Sequence, residues 1–209
     1  QPDSDKIGFH DSYLELPKDS VINLKVFKEK VANKITRPRQ NSLNSFIIGN
    51  EGDENLKIEL LEARQNEIES RITKDIKSDS LIYWFKTKNE IDSLKLAISN
   101  EFVSDTFNLK IFKKKKDSLV IKPSPTNVIK FYEDFSLVIN TPISSINKNK
   151  IQIIDKDSSV TDYVLKLDSI NNKIDFLFEK TQNENYILNF LPGSIEDIFE
   201  NKNDSLSFK

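Results

Sequence analysis

Short runs of alternating apolar and polar residues recur along the whole chain, and this pattern constrains the fold more than any other feature. In the second half, residues 135–139, 174–178 and 186–190 each place an apolar side chain at every second position. Successive side chains of a β-strand point to opposite faces, so this period predicts strands with one buried face. Clusters of Asn, Asp, Ser, Lys or Pro bound each run and favour turns. Short strands at spacings of roughly 8–12 residues are typical of a β-sandwich.

The first half carries the same pattern less regularly. Strands are predicted at 21–27, 45–48, 56–61, 68–72, 81–85, 94–98 and 107–112. Residues 56–76 are also compatible with helical spacing, because they contain Glu and Arg and no proline. We expect strands there, since Ile58, Leu60 and Glu62 fit the alternation at least as well. The predicted fold class is therefore all-β.

A lysine run at 113–116 and a Pro-Ser-Pro motif at 123–125 separate the two halves. Charge runs and proline-rich stretches of this kind are typical of domain boundaries. We therefore predict two consecutive β-sandwich domains, at 19–116 and 117–209. Residues 1–18 hold few apolar positions, so we expect a linker or the tail of a preceding domain there.

The composition excludes several classes of function. The 209 residues are 37% hydrophobic and include 14 Phe, which is enough to fill a core and argues against disorder. With 31 basic and 33 acidic residues the net charge is -2, and this excludes a globally basic nucleic-acid binder. The absence of Cys excludes disulfides, thiol nucleophiles and thiolate metal sites. No apolar stretch approaches the ~20 residues that span a bilayer.

Catalytic and metal-binding residues are not predicted. His10 is the only histidine and lies in a polar segment, so it supports neither a Ser-His-Asp triad nor a multi-histidine metal site. Asp155 and Asp157 are spaced like calcium ligands, but Lys156 and a missing glycine break the pattern, and we expect a solvated turn. We therefore predict a protein that is not an enzyme and that holds no cofactor or metal.

Two features are candidates for an interaction surface. The first is the lysine run, which consists of Lys113, Lys114, Lys115 and Lys116. One interpretation is contact with lipopolysaccharide phosphates or with an acidic partner. The other is that the lysines keep a linker or an edge strand soluble. Trp84 lies between Tyr83 and Phe85, so it points to the opposite face of its strand. An exposed Trp84 would offer a stacking face to a sugar, whereas burial in a core or between domains is the alternative.

Motifs in the second half carry a family resemblance. The segment NTPI at 140–143 is followed by YILNFLPGSIEDIF at 186–199 and by NDSL at 203–206. Together they resemble the bacterial Ig-like domain of the SbsA type, over roughly residues 119–209. Ser194 stands where Ala is more usual in that family, and Phe199-Glu200 replaces a pair that ends in glycine.

The same motifs suggest structural roles for their residues. Tyr186 is expected to place its ring in the sandwich and its hydroxyl on a nearby backbone group, as corner tyrosines do. Asp197 is expected to bind backbone amides of the loop that follows it. Ile195, Ile198 and Phe199 are expected to plug one end of the sandwich.

The resemblance also implies a biological setting. It is closest to multi-domain Ig-like lipoproteins of Gram-negative bacteria, and it implies that the chain is part of such a protein, with a lipid anchor and another domain upstream. The chain starts at Gln1 rather than Met, as expected of a processed or excised piece. The implied location is the cell envelope, on an outer-membrane lipoprotein facing the periplasm or the cell surface.

The function that the resemblance implies is a non-catalytic structural or interaction module, such as an accessory subunit of an outer-membrane protein complex. Its partner would be an outer-membrane or envelope protein, with no nucleic acid. A membrane would be contacted only through an anchor outside this chain. The alternative is a carbohydrate-binding module of a surface glycan system, and an exposed Trp84 would favour it.

Overall fold

The computed structural model describes residues 6–8, 26–28, 34–51, 55–61, 67–76, 78, 80–126 and 128–209. In these residues regular structure consists of antiparallel strands together with a short 3₁₀ turn at Lys148–Lys150. The predicted all-β fold is confirmed. Strands also occupy both described parts of the segment that was compatible with a helix, at Lys57–Leu60 and Ile68–Lys74.

Seven strands of the first half form two sheets. One sheet has the order β4–β5–β9–β8 and the other β11–β10–β7. Their bounds are β4 Arg39–Ser42, β5 Ser45–Ile48, β7 Lys57–Leu60, β8 Ile68–Lys74, β9 Leu81–Thr87, β10 Ser93–Ser99 and β11 Ser104–Lys110. Two short pairs lie outside these sheets, namely β1 Lys6–Gly8 with β2 Val26–Lys28, and β3 Lys34–Ile35 with β6 Asn50–Glu51.

The second half repeats this arrangement. One sheet has the order β12–β13–β18–β17 and the other β16–β15–β19–β21, while β14 pairs with β20. The bounds are β12 Ile121–Ser124, β13 Phe135–Ile139, β14 Ile143–Ile146, β15 Ile151–Ile154, β16 Val160–Thr161, β17 Tyr163–Asp168, β18 Lys173–Phe178, β19 Ile187–Phe190, β20 Ile195–Asp197 and β21 Leu206–Phe208.

The strand order in both halves is that of an immunoglobulin sandwich. When the seven sheet strands of the first half are lettered A to G in chain order, the sheets read A-B-E-D and C-F-G. This is the constant-type immunoglobulin arrangement. The second half has the same order with one short extra strand, β16, beside its C strand β15. Alternation alone predicted a sandwich in the first half but not this order.

Each half encloses its own apolar cluster. In the second half Phe135, Leu137, Ile174 and Phe176 are cross-strand neighbours and point inward, as the alternation predicts. The buried members of the first cluster are Ile35, Phe46, Ile48, Tyr83, Phe85, Leu94, Leu96, Ile98 and Leu109. Full burial of one such side chain contributes about 1.5–3 kcal/mol. The lysine run lies between the last strand of the first half and the first strand of the second.

Hydrogen bonds at the sandwich corners agree with the roles expected for the motif residues. The Tyr186 hydroxyl accepts a bond from the backbone amide of Thr181 at 2.9 Å, and its ring packs against Phe178 at a centroid distance of 5.0 Å. Asn172 adopts a positive φ of 50° and donates its side-chain amide to the carbonyls of Ile139 and Thr141. Because glycine is scarce, an asparagine supplies this turn.

Asp197 is a buried carboxylate that organises the loop after β20. Its side chain is 1% exposed and accepts four hydrogen bonds, each of 2.9 Å. The donors are the Thr141 hydroxyl, the Phe199 amide, and the amide and side chain of Asn201. The predicted role of Asp197 in binding loop amides is therefore confirmed. A buried charge is tolerated here because every donor faces it directly.

We predict that Asp197→Ala lowers the free energy of unfolding by about 3 kcal/mol or more, because several buried donors lose their acceptor. Urea denaturation measures this change. Asp204→Ala removes an exposed carboxylate from the neighbouring segment and serves as the control, with little expected effect. Equal stabilities of the two variants would contradict the role assigned to Asp197.

Candidate interaction surfaces

Strand β9 is buried on both of its faces. Tyr83 and Phe85 belong to the core of the first sandwich, while Ile82 and Trp84 point the other way into a separate apolar cluster. All four side chains are at most 9% exposed. The expected division of this aromatic segment between two faces is present in the structure. A sandwich core covers only one face of a sheet, so the outer face needs another cover.

Residues from the second half supply that cover. Ile198 is 1% exposed and packs with Trp84, and the Phe199 ring lies 6.2 Å from the Trp84 ring between centroids. Ile195, in contrast, packs in the core of the second sandwich. The expectation that all three plug one end of the sandwich is therefore corrected for two of them, because the loop turns them outward. We call Ile47, Ile82, Trp84, Ile198 and Phe199 the joint.

Trp84 offers no stacking face to a sugar. Its side chain is 2% exposed, and its indole Nε1 donates to the Thr73 hydroxyl at 2.9 Å. The indole thus buries its ring and satisfies its donor within the fold. Burial between the two halves was the alternative interpretation of this residue, and it is the environment in which the structure places Trp84.

Polar contacts surround the joint. Lys86 Nζ lies 2.6 Å from Glu200 Oε1, and the Lys74 amide donates to the Ile170 carbonyl at 2.7 Å. The hydrogen bond from Lys86 holds the pKa of Glu200 below its ordinary value, and the same bond raises the pKa of Lys86. Because Glu200 is largely exposed, this ion pair helps to orient the two halves but adds little stability. The apolar contacts therefore carry most of the joint's free energy.

We predict that Phe199→Ala shifts the fluorescence maximum of Trp84 to longer wavelength and lowers the free energy of unfolding by about 2 kcal/mol. Trp84 is the only tryptophan of the chain, so its emission reports on the joint alone. Phe102 is 67% exposed, and Phe102→Ala is the matched control with unchanged emission. An unshifted emission maximum in Phe199→Ala would show that Phe199 does not shield the indole.

The lysine run is exposed and lies beside the β4–β5 hairpin. Lys113, Lys114, Lys115 and Lys116 are all exposed and belong to no strand. The Leu43 amide donates to the Lys115 carbonyl at 3.2 Å, and Lys114 Nζ donates to the Gln40 carbonyl. The run is thus fixed against the first sandwich by the Lys115 backbone and the Lys114 side chain, while all four lysines stay exposed.

An apolar loop and a groove lie at one end of the second sandwich. In the loop between β12 and β13, Val128, Phe131 and Tyr132 are 79%, 64% and 80% exposed. Val128 and Phe131 border a groove of about 440 Å³, which the loop before β19 and the end of β21 also line. Sequence reasoning missed this surface. The signal was present, because four apolar residues in six positions are unusual for a turn between strands.

The remaining predicted residues have ordinary positions or lie outside the described part of the chain. His10 lies outside the described residues. Asp155 Oδ1 accepts bonds from the backbone amides of Asp157 and Ser159, as a turn residue does. No group of three or more potential metal ligands occurs among the described residues.

Comparison with known proteins identifies no relative. No family model, curated protein or solved structure matches the chain. In the described part of the chain, no helix has the length and apolar character needed to cross a bilayer. The resemblance to the bacterial Ig-like domain therefore stays a prediction from the motifs at 140–143 and 186–206.

Proposed function

We propose that this chain is a non-catalytic structural and interaction module of an envelope lipoprotein, built as two domains at 19–116 and 117–209. Its partner is an outer-membrane or envelope protein, to which the module acts as an accessory subunit. The outer-membrane setting is supported by the resemblance of residues 119–209 to Ig-like lipoprotein domains. The interaction role is supported by the architecture and by one exposed surface.

The architecture favours presentation of loops over chemistry. Immunoglobulin-type sandwiches cluster their loops at two ends, where partners bind. Asp197 is the only charged side chain among the described buried residues, and its carboxylate is occupied by four structural hydrogen bonds. Its bonding leaves no free acid or base at that position. Fold alone never fixes a function, so the exposed loop carries the proposal.

The observation that carries the proposal is the cluster of Val128, Phe131 and Tyr132. Three large apolar side chains, each at least 64% exposed, lie within five residues, and two of them, Val128 and Phe131, border a groove. Contiguous exposed apolar patches mark binding surfaces, and aromatic residues dominate the energetics of protein interfaces. An aromatic anchor beside a groove fits a protein partner. The buried Trp84 counts against the carbohydrate-binding alternative.

A pull-down from envelope membranes tests the proposal, with the intact lipoprotein as bait. We expect one outer-membrane protein at a stoichiometric level. The triple substitution Val128→Ser, Phe131→Ser and Tyr132→Ser should abolish its recovery, because it removes the exposed apolar surface. The control replaces Phe102, Val160 and Val164 by Ser, which removes similar exposed apolar groups elsewhere.

Two results would contradict the proposal. Recovery of glycan without a protein partner would favour the carbohydrate-binding alternative. Equal loss of the partner in the triple variant and in its control would show that the 128–132 loop has no special role.

A further inference from the structure

Seven exposed cationic side chains lie on two neighbouring segments of the first half. We call Arg37, Arg39, Lys110, Lys113, Lys114, Lys115 and Lys116 the basic seam. Residues 36–48 and 106–116 supply them, and neither segment contains Asp or Glu. The whole chain has 33 acidic and 31 basic residues, so the local excess of positive charge belongs to this surface and not to the composition.

Specific hydrogen bonds hold the two segments side by side. Arg37 Nη2 donates to the Asn108 carbonyl at 3.2 Å. The Gln40 side chain donates to the Phe112 carbonyl at 3.0 Å and accepts from the Phe112 amide at 2.9 Å, as a neighbouring strand would. Lys114 Nζ donates to the Gln40 carbonyl. Two basic segments that are far apart in the chain are thereby held next to each other.

None of the seven cations forms an ion pair with a described residue. The nearest acidic residues along the chain are the exposed Asp105, five residues before Lys110, and the half-buried Asp117 at the end of the run. Unneutralised like charges at close spacing repel one another. An anionic surface relieves that repulsion, which is the basis of charge complementarity in docking.

The composition of the seam distinguishes among anionic partners. Five of its seven cations are lysines, which act as flexible point charges and suit an array of phosphates better than one bidentate anion. The Phe112 ring is 62% exposed in the middle of the seam, while its backbone is held by Gln40. An aromatic side chain among lysines is the combination that binds the interface of an anionic bilayer.

We infer that the basic seam is a docking surface for a membrane of anionic phospholipid. The lysines and arginines face the phosphate head groups, and the Phe112 ring enters the interfacial region between them. This inference goes beyond the proposed function and does not rest on it, because the seam lies on the first sandwich and the 128–132 loop on the second.

Vesicle flotation with the full chain tests the inference. We expect binding to vesicles of phosphatidylglycerol and phosphatidylcholine, no binding to phosphatidylcholine alone, and loss of binding when NaCl rises from about 50 to about 500 mM, because salt screens exposed charges. Replacing Arg39, Lys113, Lys115 and Lys116 by Gln should weaken binding roughly a hundredfold or more. This set spares the two cations that form structural hydrogen bonds.

A charge-matched control variant, Phe112→Ser and soluble polyglutamate show which results would overturn the inference. Replacement of Lys88, Lys122, Lys166 and Lys209 by Gln changes the net charge equally, and we expect near-normal binding. An equal loss in both quadruple variants would overturn the inference. A second pair of results would also overturn it: Phe112→Ser binds the anionic vesicles as tightly as the unchanged protein, and soluble polyglutamate binds the protein as tightly as the vesicles do. Together these results indicate an acidic protein as the partner. Neither result alters the outcome of the pull-down.

Discussion

The contact between Trp84 and Phe199 is the interaction on which the joining of the two halves depends. Strand β9 presents large apolar side chains on both faces, and one sandwich core covers only Tyr83 and Phe85. Without a cover from the second half, the indole of Trp84 would face water. Ile198 and Phe199 remove it from water, and in doing so they tie two immunoglobulin-ordered sandwiches together.

The joint is in turn organised by the corner hydrogen bonds. The Asp197 carboxylate accepts from the Phe199 amide and from Asn201, and so fixes the backbone that carries the joint's two residues from the second half. The Thr141 hydroxyl, which lies between β13 and β14, donates to the same carboxylate. Local polar chemistry therefore sets the direction in which apolar side chains pack. The exposed surfaces, namely the 128–132 loop and the basic seam, remain on opposite halves of this assembly.

Sequence reasoning recovers whatever depends on local periodicity. Alternation predicted the all-β fold, and the motif residues Tyr186 and Asp197 have the expected bonds because those bonds are local. Features that depend on chain segments far apart were not predictable. The direction of Phe199 and the approach of Arg37 to Asn108 are set by tertiary packing, which leaves no spacing pattern in the sequence. For Trp84, the pattern indicated two faces but not what covers the second.

The central claim is that the joint makes one body of the two sandwiches. Residual dipolar couplings of backbone amides in β9 and β10 and in β13 and β19 test this most directly, because couplings report the orientation of each sandwich in a common frame. The claim predicts that a single alignment tensor fits all four strands with the orientations of this structure. Two tensors of clearly different magnitude would show that the sandwiches move independently and would contradict it.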